Sequence, residues 1–235
     1  MQVIFDALPL LLVGAKLTFQ ITVLSVGFGC IIGLFAGLCR LSRSRVLRYL
    51  ATGYVDFFRG TPLLVQIFML YFGMPQVVEM LQLYLLNEYG IPKMVDVSNV
   101  SRYWIAVLGC SLNSGAYIAE IFRAGVQSIE RGQMEAARSL GMTQNQAMRY
   151  VILPQAFKRV IPPLGNEFIA MLKDTSLLSV IGVEELTRKG QLIIAVNYQS
   201  AAIWFAVAMI YLLMTLTFSR IVDWLERRLK TDDRG

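Results

Sequence analysis

An uncharged stretch from Leu17 to Cys39 constrains the fold of this chain more than any other feature. As a helix, it is long enough to cross the roughly 30 Å of a bilayer's hydrocarbon core. Of the 235 residues, 56% are hydrophobic and only 16% are charged, whereas about a quarter of the residues of a soluble domain are charged. Several such stretches could not be buried in a soluble core of this size, so the sequence predicts an all-α integral membrane protein.

Basic residues set the predicted orientation, because Lys and Arg accumulate in cytoplasmic loops. The first stretch is followed at once by Arg40, Arg43, Arg45 and Arg48, which puts this loop in the cytoplasm and the amino end outside. We predict a single transmembrane domain over residues 1–235, with the carboxyl end inside and a cytoplasmic loop over 124–159. The five predicted spans are residues 17–39, 54–75, 103–122, 164–183 and 201–218.

The segments outside the five spans are predicted to lie at the membrane surface or in loops. Residues 1–14 are apolar but interrupted by Asp6 and Pro9, so we predict an uncleaved interfacial helix there. An outer loop over 76–102 is expected to form a short helix on the membrane surface, and 184–199 is predicted to be a second outer loop.

The sequence Arg59-Gly60-Thr61-Pro62 lies near the inner end of the second span. Proline leaves a backbone carbonyl without its helical donor, so we predict a kink or break here. Arg59 is expected to snorkel to the inner surface. Pro162 and Pro163 are predicted to open the fourth span, where their missing donors fall in the first turn.

Small residues recur along the first span at Ser25, Gly29, Gly33 and Gly37. This spacing leaves one helix face nearly bare, and a bare face lets another helix approach closely. We predict that the stripe is a packing surface.

Polar side chains fall on one face of the third span. Asn113, Tyr117 and Glu120 are three or four residues apart, so they share a helix face. In the fourth span, Glu167 and Asp174 are seven residues apart and also share a face. Such groups are costly in lipid, so both faces are predicted to point into the bundle or a wet cavity.

Residues 135–154 form a polar island between two apolar regions. Residues 133–140 can form two helical turns that end at Gly141, which supplies a left-handed cap. Thr143 with Gln146 then matches a capping box. We predict a helix–turn–helix on the cytoplasmic membrane face, with its second helix running towards Pro154.

Several kinds of chemistry are absent from the chain. It has no histidine, which removes His-based triads. It also has no G-x-x-x-x-G-K-[ST] sequence, so it lacks a phosphate-cradling P-loop of its own. The three cysteines show no metal-binding spacing and are interpreted as apolar filler. No metal or cofactor is predicted in this chain, and the net charge of +6 is assigned to cytoplasmic loops rather than to nucleic-acid binding. Any pumping must therefore take its energy from a partner or an ion gradient.

Four sequence motifs, in order along the chain, carry a family resemblance. They are RGTPLLVQ at 59–66, NSGAYIAEIFRAG at 113–125, an "EAA" loop made of Glu135-Ala136-Ala137 with Gly141 and Ile152-Leu153-Pro154, and LGNEFIAMLKDTSL at 164–177. Together they resemble the polar amino-acid branch of ABC-importer permeases, the histidine and glutamine type. The similarity covers about residues 8–230.

The resemblance implies a fold and a set of partners. It implies a five-helix permease core in the bacterial cytoplasmic (inner) membrane, paired with itself or a close paralogue. Two cytoplasmic ATPases would hold the ATP and Mg²⁺, and an external binding protein would deliver the substrate. The coupling helix that seats in an ATPase groove would comprise Glu135, Ala136, Ala137 and Arg138, ending at Gly141. Glu135 would meet basic groups on the ATPase, and Arg138 acidic ones.

Substrate residues are expected among polar groups near mid-depth. An amino acid needs an acceptor for its ammonium group and donors for its carboxylate. The candidates are Gln66, Asn113, Tyr117, Asn166, Glu167 and Asp174. An alternative is that Asn113, Asn166 and Glu167 bond each other and brace the bundle. Glu120 and Arg123 are expected to form a structural or gating pair.

The sequence leaves two classes of function to be compared. The first is the membrane subunit of an ATP-driven importer for a polar or cationic L-amino acid, of the arginine, lysine, histidine or glutamine class. The second is an ion-gradient-driven transporter or channel that couples through Glu167 and Asp174. It leaves the EAA loop unexplained, and five spans without a visible inverted repeat fit it poorly. An intramembrane enzyme lacks a nucleophile–base constellation.

Overall fold

A computed structural model describes residues 2–42, 44–97 and 100–230 of the chain. Arg43, one of the four arginines after the first span, lies outside the described residues. The regular secondary structure of the described part is entirely helical, as the all-α prediction requires.

The helices follow one another with short connections. The α-helices are α1 (Gln2–Arg40), α2 (Arg45–Gly60), α3 (Leu63–Phe68), α4 (Met74–Tyr89), α5 (Arg102–Gln127), α6 (Arg131–Ser139), α7 (Gln144–Ala147), α8 (Leu153–Asp174), α9 (Leu186–Asn197) and α10 (Ser200–Lys230). Two π-helical segments, Met69–Gly73 and Met148–Ile152, join α3 to α4 and α7 to α8, and a 3₁₀ segment, Thr175–Ile181, follows α8.

Within the described residues, four helices are long and apolar enough to cross a bilayer. They are Gln2–Arg40, Leu63–Tyr89, Arg102–Gln127 and Ser200–Leu229. The predicted span over 164–183 is not among them. Its α-helix ends at Asp174 and continues as a 3₁₀ segment, and the charges of Glu167, Lys173 and Asp174 lower its hydropathy.

The first two spans differ from their predicted limits. Residues 2–14 are not a separate interfacial helix, because α1 runs unbroken through Pro9 to Arg40. The surface helix expected within 76–102 is instead the continuation of the second span, which α4 extends to Tyr89. Gly90 ends α4 in the left-handed conformation, with φ of 66°.

The two prolines predicted to open the fourth span lie inside a helix. Pro162 and Pro163 are interior residues of α8. Pro154 lies in the first turn of α8, directly after the π-helical segment Met148–Ile152. The second helix of the island therefore does not end near Pro154 but continues through the π-helical segment into α8.

The glycine stripe of α1 is a packing surface within this chain. A methyl group built on Gly33 would lie 2.7 Å from Cγ2 of Ile118 and 2.8 Å from the carbonyl oxygen of Gly115, both on α5. Gly29 faces Ser114 and Gly115 in the same way. The absence of side chains therefore brings α1 and α5 close together, as predicted.

The region predicted as a second outer loop contains a helix. The buried Glu185 carboxylate accepts hydrogen bonds from the backbone N–H groups of Thr187 and Arg188 at 2.9 and 2.8 Å, which caps α9. It also accepts one from the Tyr211 hydroxyl of α10 at 2.9 Å. The Leu186 N–H donates to the Thr18 hydroxyl of α1, so α9 is tied to both long helices.

Candidate functional site

The predicted break in the second span is present between α2 and α3. α2 ends at Gly60, and Thr61 and Pro62 adopt extended backbone conformations. The Gln66 amide nitrogen donates to the carbonyl oxygens of Phe58 at 2.8 Å and Thr61 at 2.9 Å. These bonds satisfy carbonyls that the helix end leaves without backbone donors. Gln66 thus stabilises the break.

Beside this break is an open cavity of about 550 Å³, here called the central cavity. This volume lies within the roughly 300–1,000 Å³ that is typical of small-molecule sites. The cavity is bounded by the end of α2, the middle of α5 and the second half of α8. Its polar and charged lining residues are Arg59, Thr61, Asn113, Tyr117, Glu167 and Asp174.

Four of the six predicted substrate residues come together in the central cavity. Asn113 and Tyr117 are one turn apart on α5, while Glu167 and Asp174 are two turns apart on α8. Asn113 and Tyr117 thus face the cavity from α5, and Glu167 and Asp174 face it from α8, whereas Glu120, predicted on the same face of α5, is not in its lining. Both carboxylates lie on one wall, so this wall attracts cationic groups.

The Glu167 carboxylate is held by a neighbouring helix. Ser114 of α5 donates its hydroxyl to Oε1 of Glu167 at 2.8 Å. This single bond leaves acceptor capacity on the carboxylate, so Glu167 can still accept a hydrogen bond from a molecule in the cavity.

The other two predicted substrate residues do not line the central cavity. Gln66 is only 2% exposed, and its Oε1 accepts from the Asn113 amide at 3.0 Å. Its polar atoms are therefore engaged by the chain itself. Asn166 is exposed, but the turn of about 100° per helical residue directs it away from Glu167. The alternative in which Asn113, Asn166 and Glu167 bond one another is not observed among the described residues: Asn113 bonds to Gln66, and Glu167 bonds to Ser114.

A cluster of three arginines surrounds Glu120. Arg40 Nη1 lies 2.6 Å from Glu120 Oε2, and Arg123 Nε donates to both carboxylate oxygens at 3.2 and 3.1 Å. Arg59 Nη1 is further from Oε2, at 3.8 Å. The predicted pairing of Glu120 with Arg123 is confirmed, and Glu120 additionally joins the ends of α1 and α2 to α5.

Sequence reasoning missed the position of Arg59. Its guanidinium lies over the Tyr117 ring, 5.5 Å from the ring centroid. Arg59 and Tyr117 also line a second cavity of about 450 Å³, which extends past Glu120 to Arg159 and is here called the lower cavity. Arg59 therefore lies at the boundary of the two cavities. The only sequence signal was a charge next to a predicted helix break, which did not identify its contacts.

The polar island has the predicted helix–turn–helix shape. The Met142 N–H bonds to the Ala137 carbonyl and the Gly141 N–H to the Arg138 carbonyl, at 3.2 and 3.0 Å. This is the Schellman arrangement for ending a helix, and Gly141 has the required positive φ of 85°. The capping box of Thr143 and Gln146 is also present.

The residues of the predicted coupling helix divide between two faces of α6. Glu135, Ala136 and Arg138 are exposed, whereas Ala137 is only 4% exposed. One alanine of the pair therefore packs against the chain, and only Ala136 is free to contact a partner closely.

One exposed residue of the island was not singled out from the sequence. Leu140, the C-cap residue of α6, is 82% exposed. A single exposed apolar side chain is common on protein surfaces, so the interest of Leu140 lies in its place at the end of the predicted coupling helix. Its position just before Gly141 was the available signal.

Comparisons with known proteins agree with this architecture. Residues 29–231 match the family described as "Binding-protein-dependent transport system inner membrane component". The chain is 44% identical to the glutamine transport system permease protein GlnP of Escherichia coli (strain K12) over 97% of its own length and 96% of the relative. It is 34% identical to the arginine transport system permease protein ArtQ of Bacillus subtilis (strain 168), over 96% and 95% of the two chains.

A solved structure is similar along nearly the whole chain. The crystal structure of an amino acid ABC transporter with histidines superposes with a TM-score of 0.83 at 42% sequence identity, covering 95% of this chain and 96% of the other.

Proposed function

The chain belongs to the family of binding-protein-dependent transport system inner membrane components, and from that premise we propose that it imports a polar or cationic L-amino acid. It is a multi-pass protein of the inner membrane. The proposed substrates are of the arginine, lysine, histidine or glutamine class. Relatives named for glutamine and arginine transport support this range.

The observation that carries the proposal is the composition of the central cavity. One wall holds the carboxylates of Glu167 and Asp174, and the facing helix supplies Asn113 and Tyr117. Carboxylates accept hydrogen bonds from an ammonium group, and the Tyr117 phenol can donate to a carboxylate. The Asn113 amide nitrogen already donates to Gln66 and Phe58, so Asn113 offers its Oδ1 as a further acceptor. These four residues are the proposed substrate contacts within the membrane, with Gln66 positioning Asn113.

The proposed topology has five crossings. α8 is the fifth, because it lies between α5 and α10 and carries the charged wall of the cavity. Its two carboxylates, Glu167 and Asp174, face a cavity instead of lipid, which explains why hydropathy alone misses it. The amino end is then outside, the carboxyl end inside, and the segment 124–159 cytoplasmic.

The proposed energy source is a pair of cytoplasmic ATPases that bind ATP and Mg²⁺. In this proposal α6 is the coupling helix, and Glu135, Ala136 and Arg138 contact the ATPase, with Ala137 and Gly141 fixing the geometry of the helix and its end. Closure of the ATPases on ATP would move the coupling helices as rigid bodies and open the spans alternately to the two sides. A second permease subunit, identical or closely related, and an external binding protein complete the importer.

Reconstitution tests this function directly. The permease is purified with its ATPase, placed in proteoliposomes and supplied with binding proteins loaded with single amino acids. We expect ATP-dependent uptake of at least one polar or cationic amino acid. Uptake driven by an ion gradient without nucleotide would instead support the alternative of a gradient-driven transporter.

The cavity charge is tested by Glu167→Gln, which preserves the side chain's size. Hydrogen bonds to charged groups contribute about 1.5–3 kcal/mol, so uptake of arginine or lysine should fall roughly tenfold or more. Asp223→Asn, at an exposed position near the end of α10, is the control and should leave uptake unchanged. Unchanged cationic uptake in Glu167→Gln would rule out the charge argument.

A further inference from the structure

The cluster around Glu120 contains one arginine more than the carboxylate can engage well. Arg40 bonds to Oε2 at 2.6 Å, and Arg123 bonds to both oxygens through Nε. Arg59 remains 3.8 Å from Oε2, beyond hydrogen-bonding distance. Its guanidinium makes no hydrogen bond to any of the described residues. Three guanidinium groups around one carboxylate leave a local surplus of positive charge.

The surplus charge is accessible from the central cavity. The Arg59 side chain is 41% exposed and belongs to the lining of both cavities. Stacking on Tyr117 engages the π-face of the ring and leaves the N–H donors at the guanidinium edge free. Since Gln66 fixes the carbonyls of Phe58 and Thr61 on either side, the backbone that carries Arg59 is held in place.

Negative and positive side chains therefore lie on different walls of the central cavity. Glu167 and Asp174 lie on α8, and Arg59 lies at the end of α2. An α-amino acid carries the complementary pair, an ammonium group and a carboxylate. A guanidinium matches a carboxylate geometrically, because two parallel N–H donors can bond its two oxygens.

We propose that Arg59 binds the α-carboxylate of the transported amino acid, at the boundary between the central and lower cavities. This inference deepens the proposed function and rests on it, since it assigns a contact within the same cavity. The side-chain end or the ammonium group of the substrate then faces Glu167 and Asp174. A substrate that leaves towards the lower cavity must pass Arg59.

Carboxylate recognition can be measured without transport. The complex of the permease with its ATPase, free of binding protein, is placed in nanodiscs, and binding is titrated calorimetrically with two pairs of probes. These are L-arginine with L-argininamide and L-glutamine with L-glutaminamide, each pair differing in the α-carboxylate. We expect the wild-type complex to bind at least one acid about tenfold or more tightly than its amide. No measurable binding of either acid, or equal binding of acid and amide, would overturn the proposal.

The decisive variant is Arg59→Gln. Affinity for the acid should fall about tenfold or more, while affinity for the amide should stay within about twofold, so that the preference disappears. Arg59→Lys retains the charge without the paired donors and should show a preference reduced at least threefold. If Arg59→Gln fails to assemble, Arg59→Lys still tests whether Arg59 causes the preference for the acid. A preference as large as the wild type's in either assembled variant contradicts the assignment.

Arg40→Gln is the matched control. Arg40 also contacts Glu120, but it lines neither cavity, so this variant should keep the full preference for the acid. Loss of the preference in Arg40→Gln would mean that the cluster acts only through its structure, which would overturn the role of Arg59. Uptake by wild-type proteoliposomes distinguishes failure of the two proposals. If the wild type takes up an amino acid but Arg59→Gln keeps the full preference for the acid in the binding assay, only the Arg59 contact is refuted. If the wild type takes up no amino acid, the proposed function is refuted.

Discussion

Ser114 on α5 donates its hydroxyl to the Glu167 carboxylate on α8 across 2.8 Å. The two residues are 53 positions apart, and their bond orients one carboxylate at the wall of the central cavity. The cavity wall thus depends on the relative placement of two helices, and several consequences can be measured.

Ser114→Ala should weaken substrate binding while leaving the complex assembled. Loss of one hydrogen bond of about 1 kcal/mol should raise the KM for uptake roughly fivefold, because the carboxylate is no longer oriented. Uptake kinetics in proteoliposomes measure this change. Ser111→Ala is the control, since among the described residues the Ser111 hydroxyl bonds to the Val107 carbonyl of its own helix and not to α8. An equal change in both variants would contradict a specific role for Ser114.

Glu120→Gln should destabilise the permease. It removes the one carboxylate that joins Arg40 and Arg59 to α5 and leaves the guanidinium groups near one another. A loss of about 1–3 kcal/mol is expected, visible as a lower thermal unfolding temperature of the purified complex.

Glu184→Gln is the control for this prediction. It removes the ion pair between Glu184 and Lys189, in which Glu184 is largely exposed. The hydrogen bond from Lys189 lowers the pKa of Glu184, but a surface pair contributes at most about 1 kcal/mol. Equal effects in the two variants would argue against a special role of Glu120.

Gly33→Ala should separate α1 from α5. The added methyl would lie 2.8 Å from a backbone oxygen of Gly115, which cannot move as a flexible side chain can. Overpacking of this kind costs about 1–3 kcal/mol. Gly27→Ala on the same helix meets nothing within 4 Å and should be neutral or slightly stabilising. Thermal unfolding of the two variants side by side tests the contrast, and an unaffected Gly33→Ala would disprove close packing here.

Leu140→Ala should weaken association with the ATPase. If this side chain fills a pocket of the partner, truncation should cost about 1–3 kcal/mol, or roughly five- to 150-fold in the dissociation constant. Co-purification at graded salt and a titration of ATPase binding measure the loss. Val196→Ala is a matched control, because Val196 is equally exposed at 82% but lies on α9, on the opposite side of the membrane in the proposed topology. Association unchanged by Leu140→Ala would show that Leu140 is not part of the interface.

Local sequence signals predicted much of the fold. Proline at 62 predicted the helix break, and Gly141 with Thr143 predicted the turn of the island. These features depend on backbone geometry within a few residues, which amino-acid type determines directly. The same reasoning failed at Pro162 and Pro163, because the helical segment that contains them begins well before them.

The candidate site was predicted only in part. Helical periodicity brought Asn113 to the same face as Tyr117, and Glu167 to the same face as Asp174. Periodicity could not distinguish Gln66, which bonds the backbone of the break, from a residue that lines the cavity. It also missed Leu140, whose exposure depends on how α6 packs.

By itself, the sequence determined that the chain is a helical membrane protein with a polar, glycine-terminated turn between apolar segments. Hydropathy and helical periodicity are properties of neighbouring residues, so they can be read without knowing the fold. Only the tertiary structure decided that Arg40, 80 positions away along the chain, would bond Glu120, and that Arg59 would be left at the boundary of two cavities. Such contacts depend on the distances between packed helices, which no local pattern encodes.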